Sequence, residues 1–303
     1  MIIGIDAGGT WIKVGLFGDD LAIRDTVKVA SGARISIGAY YDSIAEAVRQ
    51  LTPKPAEAVI GFSAPGAFNK DRDVILAAPN VRGMEEGKQP VRFADELKKR
   101  LEVSQVAGDN DAGCAGLAEW MKGQPAGDLA TSLLFLTWGT GIGSALIANG
   151  QNVYGWEAGH FPVSWESPAR QPCGCGSHID LEARIAVPRL LEVANMEPIA
   201  LVDAAEAGRE PAHGIIDEAL RWMARGLHTA AVVGYPDQVV IGGGMMDRDW
   251  LLQQLRRHVT NESQGFLNTT LQPEQVHRAT LGNSAGMIGA AVLAQQKFGG
   301  DNS

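Results

Sequence analysis

The stretch MIIGIDAGGTWIKVGLF, residues 1–17, decides how the rest of the chain is read. Ile2, Ile3 and Ile5 form an apolar run that ends at Asp6, and Ile12, Val14 and Leu16 then alternate with Lys13 and Gly15. Two apolar runs joined by a glycine-containing connection predict a β-hairpin. Gly8 and Gly9 let the backbone take φ > 0 and approach a ligand closely, and consecutive turn N–H groups can cradle an anion. Asp6 ends the first strand, where it could hold a metal through water, and Thr10 offers a hydroxyl. An ordinary Gly-Gly hairpin looks the same, so the reading turns on whether the motif recurs.

It does recur. Ser132-Leu-Leu-Phe-Leu-Thr137 predicts a buried strand, Trp138-Gly-Thr-Gly-Ile-Gly143 a glycine loop, and residues 144–148 the returning strand. Two similar glycine-loop hairpins in one chain are far more specific than one. Between them the pattern predicts a third strand over 21–28, helices over 40–51 and 93–101, and a buried strand over 58–63. A turn falls at Pro65-Gly66 and a further loop at 76–80. A short segment from Val106 ends in Gly108-Asp-Asn110-Asp111, ahead of an Ala-rich helix over 112–121. The Asn-Asp pair therefore sits where a strand enters a helix N-terminus, a usual place for ligands in α/β folds. Helices over 188–197, 214–233, 250–259 and 285–296 complete the pattern. A strand from Gln238 runs into Gly242-Gly-Gly244, and 299–303 read as a frayed tail.

Composition bounds the function. The 303 residues are long enough for two domains, and 45% hydrophobic with 20% charged residues is the balance of a globular protein in water. A net charge of −9 with no basic block argues against nucleic-acid binding, which needs clustered Lys and Arg. No run of about eighteen apolar residues exists to span a membrane. The first apolar run is broken by Asp6 and lacks a basic flank, so no signal peptide is expected and the location reads as cytoplasmic. Three cysteines, two of them in Cys173-Gly-Cys175, make no disulfide framework and read better as metal ligands.

Taken in order, these segments resemble the ROK family and, more broadly, the actin-like ATPase and sugar-kinase fold. The match covers nearly the whole chain. Asp6-Ala-Gly-Gly-Thr10 looks like the family's first phosphate loop and Gly139-Thr-Gly-Ile-Gly143 like its second. Gly242-Gly-Gly-Met245 resembles its adenosine turn, while Asn110-Asp111, Glu157-Ala-Gly-His160 and the Cys-x-Cys-Gly stretch ending in Glu182 resemble its sugar and zinc motifs. The resemblance implies an α/β, two-domain, ribonuclease H-like architecture with a ligand cleft between domains. The smaller domain would span 1–112, with the helix at about 285–297 returning to it, and the larger 113–284.

The implied activity is ATP-dependent phosphorylation of a hexose hydroxyl, of the glucokinase, N-acetylmannosamine kinase or allose kinase kind, with Mg²⁺. Asp6, Gly8, Gly9, Thr10, Lys13, Gly139, Thr140, Gly141, Gly143, Gly242, Gly243, Gly244 and Met245 would serve the nucleotide and its cation. Gly66, Asn80, Asn110, Asp111, Glu157, His160 and Glu182 would bind the sugar. Asp111 is the expected general base; the plainer alternative is an N-cap, as Asp ahead of an Ala-rich helix, and both roles could be held within the Asn110-Asp111 pair. Glu157 lies among Gly155, Trp156, Ala158 and Gly159, a poor setting for a routine surface charge.

In its usual form the family's zinc loop carries three cysteines and the histidine of Glu-x-Gly-His. Here Asp180 stands where the third cysteine is expected and Ile179 replaces the glycine before it. His160, Cys173 and Cys175 with Asp180, or with His178 instead, could complete a tetrahedral zinc site; a metal-free loop with reduced thiols is the alternative. Members of the family also include sugar-responsive repressors, but these carry a DNA-binding region ahead of the first phosphate loop, which here begins at residue 6. A non-catalytic sugar sensor is the other rival, and retention of Asp111 weighs against it. Related kinases are often dimers, so a homodimer is compatible with the resemblance.

Overall fold

A computed structural model describes residues 1–78, 81–85, 88–123, 131–153, 156–165, 168–262 and 270–299. The chain forms two compact units, Met1–Lys122 with the segment from Asn283 onward, and Gly123–Gly282.

The opening hairpin builds the first unit. β1 (Ile2–Ala7) pairs antiparallel with β2 (Trp11–Phe17), which pairs with β3 (Ile23–Ala30). On its other side β1 runs parallel to β4 (Val59–Ala64), and β4 parallel to a strand over Val106–Asn110. Between these last two lies a small hairpin, β5 (Ala67–Phe68) with β6 (Ile75–Ala77), which makes the Val106–Asn110 strand β7. The sequence pattern had read 76–80 as loop; a three-residue strand is too short to show period-two alternation.

Alternation along the strands gives the sheet two different faces. Ile3, Ile5, Ile12, Val14, Ile60 and Phe62 point to one face and are buried with α1 (Ile37–Leu51) and α2 (Phe93–Leu101), which contribute Tyr40, Ile44, Phe93 and Leu97. The helix α1 begins three residues before the apolar pattern does, because the Ser36 hydroxyl accepts from the Ala39 N–H and caps it there.

On the opposite face Gly4 is paired with both Gly15 and Gly61, leaving a row without side chains. The helix α9 (Ala285–Phe298) lies on this row. A Cβ at Gly61 would stand 1.7 Å from the Ala290 carbonyl oxygen, and one at Gly4 2.2 Å from that of Met287. A third helix, α3 (Asp111–Lys122), packs against α9 as closely, since a Cβ on Gly289 would meet the Cys114 carbonyl at 1.7 Å. This contact carries α3 into the first unit, so the unit boundary falls at Lys122 rather than near residue 112.

The second unit repeats the strand plan. Its sheet runs β10-β9-β8-β11-β12, from β8 (Ser132–Trp138), β9 (Ile142–Ala148), β10 (Gln151–Val153), β11 (Gln238–Gly242) and β12 (Val276–Arg278). As in the first sheet, an antiparallel meander of three strands is extended by two parallel ones. Its helices are α4 (Leu181–Ile185), α5 (Val187–Ala194), α6 (Pro198–Glu206), α7 (Ala212–Gly234) and α8 (Asp249–Glu262). The single helix expected over 188–197 ends at Ala194, where Asn195 turns left-handed, and Pro198 starts the next. The short α4 has no length over which a helical period could show, and the sequence reading missed it.

Gly61→Ala is expected to cost about 3 kcal/mol or more, because strand and helix backbones would have to separate. Gly38→Ala, in the first turn of α1 where a Cβ meets only the Ser36 hydroxyl at 3.7 Å, should instead stabilise by about 0.5 kcal/mol. Urea denaturation of both variants checks the pair.

Candidate active site

In the first unit the residues singled out from sequence gather at the ends of β1, β4 and β7. The 7–10 turn is held from behind by its carbonyls. The Tyr40 hydroxyl donates to the Ala7 carbonyl, the Ser31 hydroxyl to that of Gly9 at 2.7 Å, and the Ser31 N–H to that of Thr10 at 3.0 Å. Gly8 is required sterically, as a Cβ would stand 2.7 Å from the Trp11 carbonyl oxygen. Thr10 is exposed.

Asp6 faces the N-terminus of α9, where a Cβ on Gly286 would lie 2.9 Å from its Oδ1. Lys13 is fixed between two partners: its Nζ donates to the Asn283 carbonyl at 2.7 Å and lies 3.6 Å from Asp6 Oδ2. Burial raises the Asp6 carboxyl above the usual carboxylate range. Lys13 works against that rise, and the charge of Asp111 adds to it.

The Asn110-Asp111 pair divides two roles. Asn110 is the helix cap, its Oδ1 accepting the Gly113 N–H at 2.7 Å. Asp111 is the first residue of α3, and its Oδ1 accepts the Ala112 N–H at 2.8 Å. The N-cap reading of Asp111 is therefore replaced: its neighbour caps. The Asp111 side chain reaches solvent, yet protein fills most of its surroundings, and this poor hydration raises its pKa against the pull of the Ala112 N–H. Gly66 has φ of 113°, and a Cβ there would sit 2.2 Å from the Ala77 carbonyl. Asn80 lies outside the described residues.

One contact escaped the sequence reading. Arg72, in the β5–β6 connection, forms an ion pair with Asp109, which is only 4% exposed and accepts the Asn110 N–H at 2.7 Å. The pair braces the residue just before the Asn-Asp motif. No local pattern links two residues on different elements, so nothing in the sequence marked it.

In the second unit the 139–143 loop closes the β8–β9 hairpin, with the Gly139 N–H donating to Gly141 at 3.0 Å. Thr140 at its tip is exposed. Glu182 on α4 accepts the Ile142 N–H at 2.8 Å through Oε2. Glu157 is exposed, at the entrance to a single 3₁₀ turn over Ala158–His160. A Cβ on Gly159 in that turn would stand 2.1 Å from the Ile142 carbonyl, so turn and loop are in contact. Gly242 ends β11, and Gly243, with φ of 91°, approaches the Trp138 carbonyl to where a Cβ would be 2.2 Å away. Gly243 and Gly244 are exposed, whereas Met245 is buried in the core of this unit.

The candidate metal ligands converge. One donor atom each from His160, Cys173, Cys175 and Asp180 lies within 4.8 Å of all the others. Asp180 Oδ2 is 2.9 Å from the Cys173 sulfur, 3.1 Å from that of Cys175 and 3.2 Å from His160 Nδ1. His178 is not among them; it is exposed and its Nδ1 lies 2.9 Å from the Ala169 carbonyl. Burial and the neighbouring Asp180 push the Cys173 thiol up to about 12. Burial opposes ionisation of Asp180, but hydrogen bonds from Cys173 and the Ala183 N–H prevail and hold its carboxyl low.

Together the two sheets have the two-domain fold of the actin-like ATPases, in the form carried by ROK sugar kinases. The ROK family profile matches residues 2–297, and the chain belongs to the ROK family. It is 30% identical to a glucokinase from Thermotoga maritima, covering 99% of this chain and 98% of that one. The structure of a ROK hexokinase from Thermus thermophilus superposes with a TM-score of 0.83 at 27% identity, covering 98% of each chain. A ROK glucokinase from Streptomyces griseus, solved in complex with glucose and AMPPNP, superposes at 0.75 and 27% identity, covering 97% of this chain and 99% of that one. Among the described residues no helix is long and apolar enough to cross a membrane.

Two outcomes test this site. Tyr40→Phe removes the donor to Ala7 and should lower stability by about 1 kcal/mol while raising the KM for nucleotide several-fold, read by denaturation and steady-state kinetics. For Asp111 the folded pKa lies above its ordinary 3.8. As pH rises through that ordinary value the unfolded chain gives up its proton first, so stability falls until the folded carboxyl has also ionised. Asp111→Asn escapes that loss. The variant should be more stable than the parent chain at neutral pH, with the difference closing as pH falls toward 3.8, in urea titrations across that range.

Proposed function

We propose that this chain transfers the γ-phosphoryl group of ATP to a hydroxyl of a hexose or hexose derivative, with Asp111 as general base. The observation that carries the reading is the split between Asn110, which caps α3, and Asp111, which is left at the helix start with a raised pKa. A base needs a carboxylate that is not the helix cap and is less acidic than usual, and the Asn110 cap and the raised pKa of Asp111 support that reading. It would take the proton from the attacking hydroxyl as that oxygen bonds to the γ-phosphorus and the bond to the ADP oxygen breaks.

The remaining residues supply positioning. The unit of residues 1–122 with α9 would bring the first phosphate loop. Its carbonyls are tied inward to Tyr40 and Ser31, an arrangement that favours offering N–H groups to phosphate oxygens. The unit of residues 123–282 would bring the second loop, the exposed Gly243-Gly244 turn for the adenosine, and Glu157, His160 and Glu182 for sugar hydroxyls. Asn110 and Gly66 would complete the sugar contacts on the first unit. The buried Met245 would shape the adenosine turn from beneath rather than touch the nucleotide.

Mg²⁺, when bound, supplies charge neutralisation at the phosphates. Asp6 suits it, as a carboxylate raised by burial that Lys13 answers only in part. The donor set of two thiols, an imidazole and a carboxylate likewise fits Zn²⁺, held by His160, Cys173, Cys175 and Asp180. Its contribution would be structural, a cross-link between the 158–160 turn and the start of α4.

Coupled ADP release with Mg-ATP across aldoses, ketoses and N-acetylated hexosamines tests the activity. Turnover is expected on at least one sugar, with Asp111→Asn slower by about 10²-fold or more; a folded protein that binds ATP yet leaves the whole panel untouched would remove the reading. Elemental analysis is expected to find about one zinc per chain, lowered in Cys175→Ser and Asp180→Asn, with a fall in melting temperature on chelation.

A further inference from the structure

We propose that Glu182 is a positioning residue that transmits sugar binding to the second phosphate loop, so that sugar and nucleotide tighten each other's binding. The inference rests on the reading above, in which Glu182 meets the sugar and residues 139–143 meet the nucleotide phosphates.

The geometry points there through three ties. The Ile142 N–H donates to Glu182 Oε2 at 2.8 Å, the Trp138 ring N–H donates to the Ile185 carbonyl at 2.6 Å, and the Val187 N–H donates to the Gly139 carbonyl at 2.9 Å. Two of these are fixed by backbone or by a fully buried indole. Only the Glu182 tie depends on a side chain with free rotation about several bonds. It is therefore the one tie that a ligand can strengthen or weaken.

Glu182 is equipped to hold both partners at once. A carboxylate offers about four acceptor positions, and the Ile142 N–H takes one of them. Among the described residues hydrogen bonding to the Glu182 carboxylate is through Oε2 alone, and Oε1 is the oxygen that would meet sugar hydroxyls. The loop lies close against this carboxylate: a Cβ on Gly141 would stand 2.5 Å from Oε2, so an alanine there would push the carboxylate aside. The base of the side chain is steady, because Asp180 caps α4 by accepting the Ala183 N–H at 2.8 Å. A sugar that fixes Oε1 thereby fixes Oε2, and with it the start of β9 and the loop. By linkage, whatever factor the sugar adds to nucleotide affinity the nucleotide must add to sugar affinity.

Isothermal titration separates this from a merely structural role. Mg-AMPPNP would be titrated into the protein with and without saturating sugar, using glucose first and otherwise the sugar turned over best. The original chain should bind the nucleotide at least about fivefold tighter with sugar present. In Gly141→Ala, which displaces the carboxylate without removing it, the ratio should fall to within about twofold of unity. Sugar affinity is measured alone for each variant, so that the coupling ratio is read apart from any weakening of sugar binding itself. Glu182→Gln, whose carbonyl can still accept from Ile142, should give an intermediate ratio. If Gly141→Ala does not fold, Glu182→Asp, one methylene shorter, should lose the coupling in its place. The proposal is overturned if the unmodified protein binds both ligands with a ratio of one, or if the variants keep its full ratio. If the unmodified protein binds no sugar of the panel, the kinase reading falls and this inference with it.

Discussion

The first unit depends on a backbone-to-backbone contact between α9 and a row of glycines. Gly4, Gly15 and Gly61 are neighbours across three strands, and with no Cβ atoms between them helix and sheet come together at distances that any side chain would forbid. Gly4 and Asp6 are two residues apart on one strand and share a face. Seating α9 on Gly4 therefore also brings Gly286 against Asp6, and the carbonyl of Asn283 onto the Lys13 ammonium. The same helix meets α3 at Gly289 and so sets the element that carries Asp111. A segment from the far end of the chain thus positions Asp6 and the helix that carries Asp111.

The second unit solves the same problem with polar ties. Its glycine loop is held by α4 and the first residue of α5, through Glu182, Ile185 and Val187. The helix itself has only five residues, too short to be stable on its propensity alone. Asp180 stabilises it by capping, and the same carboxylate faces both thiols and His160 with its other oxygen. The metal-type cluster, the short helix and the loop are consecutive links of one mechanical chain, which explains why Cys173, Asp180 and Glu182 lie so near each other in sequence. Asp at position 180 suits this arrangement, since its carboxylate caps the helix with one oxygen and faces the thiols and His160 with the other.

Much of this was legible beforehand, for definite reasons. The two hairpins declare themselves because period-two alternation and paired glycines are local signals, and their repetition correctly anticipated two sheets of the same plan. The cluster of His160, Cys173, Cys175 and Asp180 was implied by the resemblance to the family's zinc loop, and the structure brings those four together while leaving His178 outside. Short elements without a full period, such as β6 and α4, were not legible, nor was the boundary of the first unit, which the α3–α9 contact decides. Which of Asn110 and Asp111 caps α3 was not legible, because Asn and Asp cap equally well and only geometry shows which side chain reaches the Gly113 N–H.

By itself, then, the sequence determined the ordered set of turns and the kinds of side chain at them, since both are written in adjacent residues. It determined the family as well, because that order is what relatives share. Tertiary structure alone decided that Arg72 braces Asp109, that Lys13 is tethered to the start of α9, and that Glu182 grips the loop at Ile142. Each of these joins residues far apart in the chain, and such a contact exists only once strands and helices have fixed the distance between its ends.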